Sequence, residues 1–201
     1  MTVATEVKTV ISVGCGRPSA LLPDEFRDEE RWKILRVDID PEVQPDLVAS
    51  ATSLTGIEDD SVDAVWTKAL LDHLYPVDVD LALAEFARVL KPGGTCIVCV
   101  LDFEKLATAV VAGKLEEVVY QSPAGAVSVI DQIFGFRSDL AKGNMFIAKH
   151  TAFTKKTLCK HLTKAGFVSG PVVRSDRLMK DAILAVVRKK GVKDANNGNA
   201  V

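Results

Sequence analysis

Short runs rich in Val, Ile and Leu, bounded by Gly, Pro, Asp and Ser, fall at Lys8–Val13, Lys33–Ile39, Asp46–Ser50, Val62–Thr67 and Thr95–Leu101. Their length and β-branched content predict buried parallel strands. Between the last two, Val79, Leu83, Phe86 and Leu90 recur at spacings of three and four, which makes one apolar stripe on a helix. Pro76 suits the first turn of that helix, where its missing N–H costs nothing. Asp78 and Asp80 favour the positive end of its dipole, and Lys91 the negative end. Pro92-Gly93-Gly94 predicts its stop and a chain reversal. A short helical stretch broken by Pro23 is expected within Ser19–Glu30. Strand–helix alternation of this kind implies right-handed crossovers and an α/β, doubly wound, mostly parallel sheet.

Segment 103–152 is longer than such a core needs. It is read as an insertion with helical stretches at Phe103–Val119 and Ala126–Phe134, placed at the sheet edge where insertions carry substrate specificity. Tyr120, Phe134, Phe136, Arg137 and Phe146 are its candidate substrate-facing side chains, with packing of the insertion onto the core as their alternative role. One domain over residues 1–193 and a disordered polar tail at 194–201 complete the expected layout.

Composition narrows the class. The chain has 201 residues, 48% of them hydrophobic, enough for one good core. No apolar run reaches the length of a membrane span, and the N-terminus lacks the layout of a signal peptide, so a cytoplasmic location is expected. Cys96 and Cys99 form a C-x-x-C on paper. An odd separation along a strand points them to opposite faces, so buried structural thiols are expected and no metal site. The net charge of −2 conceals an asymmetry, with 12 Lys and Arg against 24 Asp and Glu in residues 1–141, and 13 against 3 in residues 142–201. Either the basic segment packs beside the acidic one, or it faces an anionic substrate or a nucleic acid.

In a doubly wound sheet, ligands bind outside the carboxyl ends of the strands, where the strand order switches. Gly14 and Gly16 follow the first strand there. Asp38 ends the second, about twenty residues on, where a carboxylate accepts bonds from ribose hydroxyls. A dinucleotide site would continue to a third glycine, but the chain reads Arg17-Pro18-Ser19.

A wider pattern resembles the class I S-adenosylmethionine-dependent methyltransferases. It comprises Val10-Ile-Ser-Val-Gly-Cys-Gly16, Val37-Asp-Ile-Asp-Pro41, Asp63-Ala-Val-Trp66, Asp72-His73-Leu74 and Arg88-Val-Leu-Lys-Pro-Gly-Gly94. Pro45-Asp-Leu-Val-Ala49 and the Asp72-His73-Leu74 element are similar to type 11-like, uncharacterised bacterial members. The resemblance implies a seven-stranded Rossmann-like sheet with a helical lid, and makes Phe153–Phe167 a late helix leading into closing strands at Val168–Arg174 and Ala182–Val187, the last antiparallel. It implies S-adenosylmethionine as cofactor, with Gly14, Gly16, Asp38, Ile39, Ser50, Ala51 and Thr67 as cofactor-binding positions. Three positions depart from the family pattern: Ser12 and Ser50 stand where acidic residues are usual, and Pro18 replaces a glycine.

The reaction so implied is methyl transfer to an oxygen or nitrogen of a small molecule. His73, just past the fourth strand, and His150, closing the insertion, are the candidate catalytic bases. His161 lies in the late helix and reads as structural. A fold-retaining binding or scaffold protein is the competing class, and an RNA methyltransferase a lesser one. No membrane partner is expected, and a homodimer is among the open oligomeric states.

Overall fold

The computed structural model describes residues 6–17, 22–168, 170–175 and 179–191. Pro18 and the tail 194–201 lie outside them. The parallel strands are β1 (Lys8–Val13), β2 (Trp32–Asp38), β3 (Leu47–Val48), β4 (Val62–Lys68) and β5 (Leu90–Leu101). The helix α1 (Pro76–Val89) joins the last two, and α2 (Phe103–Val111) follows β5. A hairpin of β6 (Val118–Ser122) and β7 (Gly125–Ser128) leads to α3 (Val129–Phe134) and α4 (Arg137–Leu140). Then come α5 (Lys155–Lys164), β8 (Phe167–Val168), β9 (Val172–Ser175) and β10 (Ala182–Lys189).

The sheet runs β3-β2-β1-β4-β5-β10-β8, with β9 also paired to β10. β8 and β9 bond to successive stretches of β10, so eight strands fill seven positions. β10 is antiparallel to β5, as the family pattern implies. The chain leaves β1 for β2 and β3, then returns to β4 on the other flank of β1. That reversal of direction opens a crevice at the carboxyl ends of β1 and β4.

The two sheet faces are covered differently. Ile11, Val13, Val65, Val98 and Ile183 form one core with Val79, Leu83 and Phe86 of α1 and Leu158 and Leu162 of α5. Val10, Ala64, Trp66, Ile97 and Cys99 face the other way, where among the described residues Leu22, Phe26 and Met179 supply cover and no α-helix contributes. Cys96 and Cys99 fall in different cores, as their odd spacing requires. Burial pushes both thiols up, that of Cys99 to about 11.

Three local expectations change. Pro92-Gly93-Gly94 does not reverse the chain; α1 ends at Val89 and β5 begins at once. Val62 pairs with Leu90 and Ala64 with Thr95, so residues 91–94 bulge opposite Asp63. Gly93, at φ 80°, permits the bulge, and Lys91 Nζ closes it on Asp63 Oδ1 at 2.9 Å. The expected helix over 103–119 stops at Val111, because Gly113 takes φ 76° and the β-branched Val118-Val119 pair into a hairpin instead. Of the Ser19–Glu30 stretch, the described part holds only a 3-10 turn at Asp24–Phe26 after Pro23.

The basic C-terminal part packs beside the acidic remainder. Lys189 Nζ lies 2.6 Å from Asp60, Lys164 Nζ 2.6 Å from Asp80 and Lys149 Nζ 2.6 Å from Asp72. Arg174 engages Asp102 and Glu104. Among the described residues no helix is long and apolar enough to cross a membrane.

Arg88 ties α1 to the loop before β4. It donates to both carboxylate oxygens of Glu85 at 2.7 and 2.8 Å, to Asp59 at 2.6 Å and to the Ile57 carbonyl at 2.9 Å. Glu85 in turn accepts from Leu54 N at 2.7 Å. Bonding to Glu85 raises the Arg88 pKa above its ordinary value. A lysine has no fork to reproduce this geometry. Arg88→Ala is therefore expected to cost about 1.5–3 kcal/mol, the scale of charged hydrogen bonds. Urea unfolding checks it, as a lower midpoint at unchanged slope.

Candidate active site

The loop after β1 is anchored from β2. Cys15 N donates to Val37 O at 3.1 Å, Gly16 N to Asp38 Oδ2 at 2.8 Å, and Arg36 Nη2 to Gly16 O at 2.7 Å. Both sides of Gly16 are thus held by one strand. Gly14 has φ 65°, and a Cβ there would stand 2.8 Å from Leu70 Cδ1. Gly16 has φ 58° and open space where its Cβ would point. These are positions where bare backbone is needed, for the turn and for close approach.

The other predicted cofactor positions line the same edge. Asp38 Oδ1 accepts from Asp40 N at 3.0 Å, and Ile39 beside it is 52% exposed. Ala49 N donates to Asp38 O, which brings Ser50 and Ala51 up against the end of β2. Ser50 Oγ is taken by Thr52, at 2.8 Å from its hydroxyl, and Ala51 is buried. Thr67 stands apart from them. It is 1% exposed, and its hydroxyl is enclosed without a hydrogen-bond partner.

Two cavities meet at this edge. One, of about 280 Å³, is lined by Ser12, Gly14, Gly16, Arg17, Arg36 and Lys68 among others. Among the described residues no carboxylate lines it, and Ser12 stands where the family pattern would have put one. The second, of about 310 Å³, lies under the insertion, with His73, Tyr120, Phe136 and Lys149 in its wall. Ala69, in the left-handed region at φ 49°, belongs to both.

The histidines separate sharply. His73 Nδ1 lies 2.9 Å from Ala148 O. A carbonyl only accepts, so Nδ1 carries the proton and Nε2 keeps its lone pair. Burial lowers the His73 pKa, with Lys149 and His150 adding to that effect and Asp72 and the Ala148 bond opposing it. The ring is neutral at pH 7. His150 is exposed and stacks on Tyr75, with centroids 4.1 Å apart and planes at 14°, and it lines neither cavity. His161 binds Asp80 at 2.7 Å and joins α5 to α1.

Lys149, Asp72, Arg36 and Lys68 are site residues that sequence reasoning passed over. Lys149 is the neighbour of the predicted His150, and its ammonium is buried against Asp72, with side chains 10% and 4% exposed. The contact is a close charge pair without a directed hydrogen bond, since neither Asp72 oxygen has a hydrogen-bond partner. Tyr120, Phe136 and Arg137 do belong to the wall or its support, Arg137 through Asp131 at 2.8 Å. Phe134 and Phe146 are each 59% exposed and line neither cavity.

The family model described as a methyltransferase domain matches residues 11–98 of this chain. That match spans 88 of the 201 residues and, with the fold, supports the class I S-adenosylmethionine-dependent methyltransferase superfamily. Solved structures share its fold at low identity. A Burkholderia thailandensis 1,6-didemethyltoxoflavin N1-methyltransferase, solved with bound 1,6-didemethyltoxoflavin and S-adenosylhomocysteine, is 16% identical with a TM-score of 0.55, over 92% of this chain and 72% of that one. A Methanosarcina mazei methyltransferase is 16% identical at 0.60, over 92% and 94%. One from Mesorhizobium loti is 17% identical at 0.60, over 92% and 93%.

S-adenosylmethionine is the cofactor of this methyltransferase class, and the edge fits it. Gly14 and Gly16 leave room for close approach, Asp38 offers a carboxylate acceptor, and Ile39 offers exposed apolar surface beside it. Asp38 also positions Gly16, so removing it strikes twice. Asp38→Ala is expected to weaken S-adenosylhomocysteine binding at least about tenfold, the lower end for a charged hydrogen bond. Titration calorimetry checks this, and an unchanged Kd would take Asp38 out of the site.

Proposed function

We propose that this methyltransferase transfers the methyl group to an oxygen or nitrogen of a small molecule held in the cavity under segment 103–152, with His73 as general base. One observation carries the reading. The His73–Ala148 bond leaves the Nε2 lone pair free on a residue of the cavity wall, in a ring that burial keeps neutral.

Bound S-adenosylmethionine supplies an electrophilic methyl on a sulfonium that departs as a neutral thioether. The chain's own part is alignment and proton removal. Asp38 would hold the ribose hydroxyls, Gly14 and Gly16 would leave room for the methionyl end, and Ile39, Ser50 and Ala51 would lie beside the adenine. Thr67 supports the end of β4 from inside. Ala69 lines both cavities, so a ligand in one would lie next to a ligand in the other there. Segment 103–152 acts as the substrate lid. His150, outside the cavities, takes no proton in this scheme. Four free cysteines, three of them buried, fit a reducing compartment such as the cytoplasm.

The decisive test is calorimetry with S-adenosylhomocysteine: saturable 1:1 heat is expected, and no heat from folded protein would favour a fold-retaining scaffold instead. His73→Ala should leave that affinity intact while lowering turnover about 10²–10⁴-fold, the range for a lost general base. The tautomer is open to nitrogen NMR at pH 7, which should find Nδ1 protonated and Nε2 bare. The ring should titrate below histidine's ordinary 6.5. The folded form resists protonation, so the stability linked to His73 is complete above 6.5 and falls as pH drops through the lowered value. An Nε2–H at pH 7 would exclude His73 as base.

A further inference from the structure

The cavity beneath segment 103–152 meets only one end of a buried ion pair. Lys149 lines it, whereas Asp72, 2.6 Å from the Lys149 ammonium, does not. The carboxylate sits behind, in the small crevice it shares with Phe103 and Phe153, and Lys149 lies between that crevice and the cavity, lining both. An ammonium has three N–H donors, so Asp72 leaves donors for a ligand. His73, with its bare Nε2, stands on the same wall.

Among the described residues, the remaining charged groups of the wall are Asp131 and Asp139. Asp131 is held ionised well below the usual carboxylate range by Arg137 and Ser128, and Asp139 pairs with Lys142 at 3.1 Å. Tyr120, whose phenol burial raises, completes the titratable set there, with His150 acting on His73 from outside.

We propose that the methyl acceptor is an aromatic or enolic hydroxyl that enters neutral, gives its proton to His73 and is held as its oxyanion by Lys149. The proposal rests on the methyltransferase reading and specifies its substrate class. Three alternatives are disfavoured on the same wall. A carboxylate arrives already charged, must be desolvated, and faces Asp131 and Asp139. An amine nucleophile gains positive charge as it reacts, next to an ammonium. An aliphatic alcohol holds its proton too tightly for an imidazole, whereas a phenol near pKa 10 lies within reach of a base beside a cation. Leu101, Phe136 and Met179 supply the apolar wall for a flat body, and about 310 Å³ suits one or two rings.

In the step, the acceptor O–H bond breaks and its proton moves to His73 Nε2. The oxygen's electron pair forms the new C–O bond, and the C–S pair returns to sulfur, which leaves as neutral S-adenosylhomocysteine. The imidazolium then loses its proton to water.

The test is an absorbance titration of 7-hydroxycoumarin bound to the protein saturated with S-adenosylhomocysteine. Its phenolate band should appear at least one pH unit earlier than in free solution, a tenfold gain in the ionised fraction at a given pH. Lys149→Arg should retain the shift. The double change Asp72→Leu with Lys149→Met removes both charges and strands neither, and it should bind the probe with no shift. A wild-type protein that binds S-adenosylhomocysteine but leaves the probe unbound at millimolar concentration, or unshifted, overturns the proposal and spares the methyltransferase reading. A shift that survives the double change overturns the part given to Lys149. Failure to bind S-adenosylhomocysteine overturns both.

Discussion

β1 is bonded along its whole length to β2, and from Val10 to Val13 also to β4. No local propensity makes that arrangement; it requires the chain to travel outward to β3 and come back. Once it has done so, the backbone ends of β1 and β4 diverge above a gap that no crossover covers. The glycine loop, Asp38 and Ala69 all stand at that gap because they follow, respectively, β1, β2 and β4. A slip of one residue in the β1–β4 register would exchange the two faces of β4. Thr67 would then turn outward and Lys68 inward, carrying a cation into the α1 core.

The glycine loop shows how far the site leans on the sheet. In many nucleotide sites the loop after the first strand is steadied by the helix it opens. In the described part of this chain the segment after Gly16 holds only a 3-10 turn, and the steadying contacts come from Arg36 and Asp38. Arg36 bonds also to the Gln44 and Val43 carbonyls, so one side chain links the loop to the turn after β2. The cost is a carboxylate partly occupied before any ligand arrives.

Strand parity explains much of what was legible in the chain and what was not. The opposite burial of Cys96 and Cys99 followed from their odd spacing. The stripe on α1 followed from its period, with Val79, Leu83 and Phe86 all at 0% exposure. Lys149 and His150 defeated the same logic, because an extended pair must face opposite ways and nothing local says which faces inward. The answer lies in Asp72, far away in sequence, whose carbonyl takes the His150 and Thr151 amides while its carboxylate takes Lys149. Likewise Pro92-Gly93-Gly94 reads locally as a reversal. Only pairing with β4 turns it into a bulge, and β-sheet partners are not local information. The hairpin within 103–152 was missed for the same reason.

Those contacts at Asp72 bear on what the insertion can do. Its exit is stitched down by two amides into the Asp72 carbonyl and by Thr151 to the Leu74 carbonyl. Its entry is pinned close by, where Phe103 N donates to Phe153 O and Asp102 bridges to Phe153. Entry and exit are therefore fastened at one place, beside His73. Swinging the whole segment away would break both fastenings and part the buried Asp72–Lys149 pair. Any opening of this cavity would have to come from between the pins, in the hairpin and the α3–α4 region that carry Tyr120 and Phe136. His73 and Lys149 would then keep their positions through such an opening while the wall that carries Tyr120 and Phe136 moves.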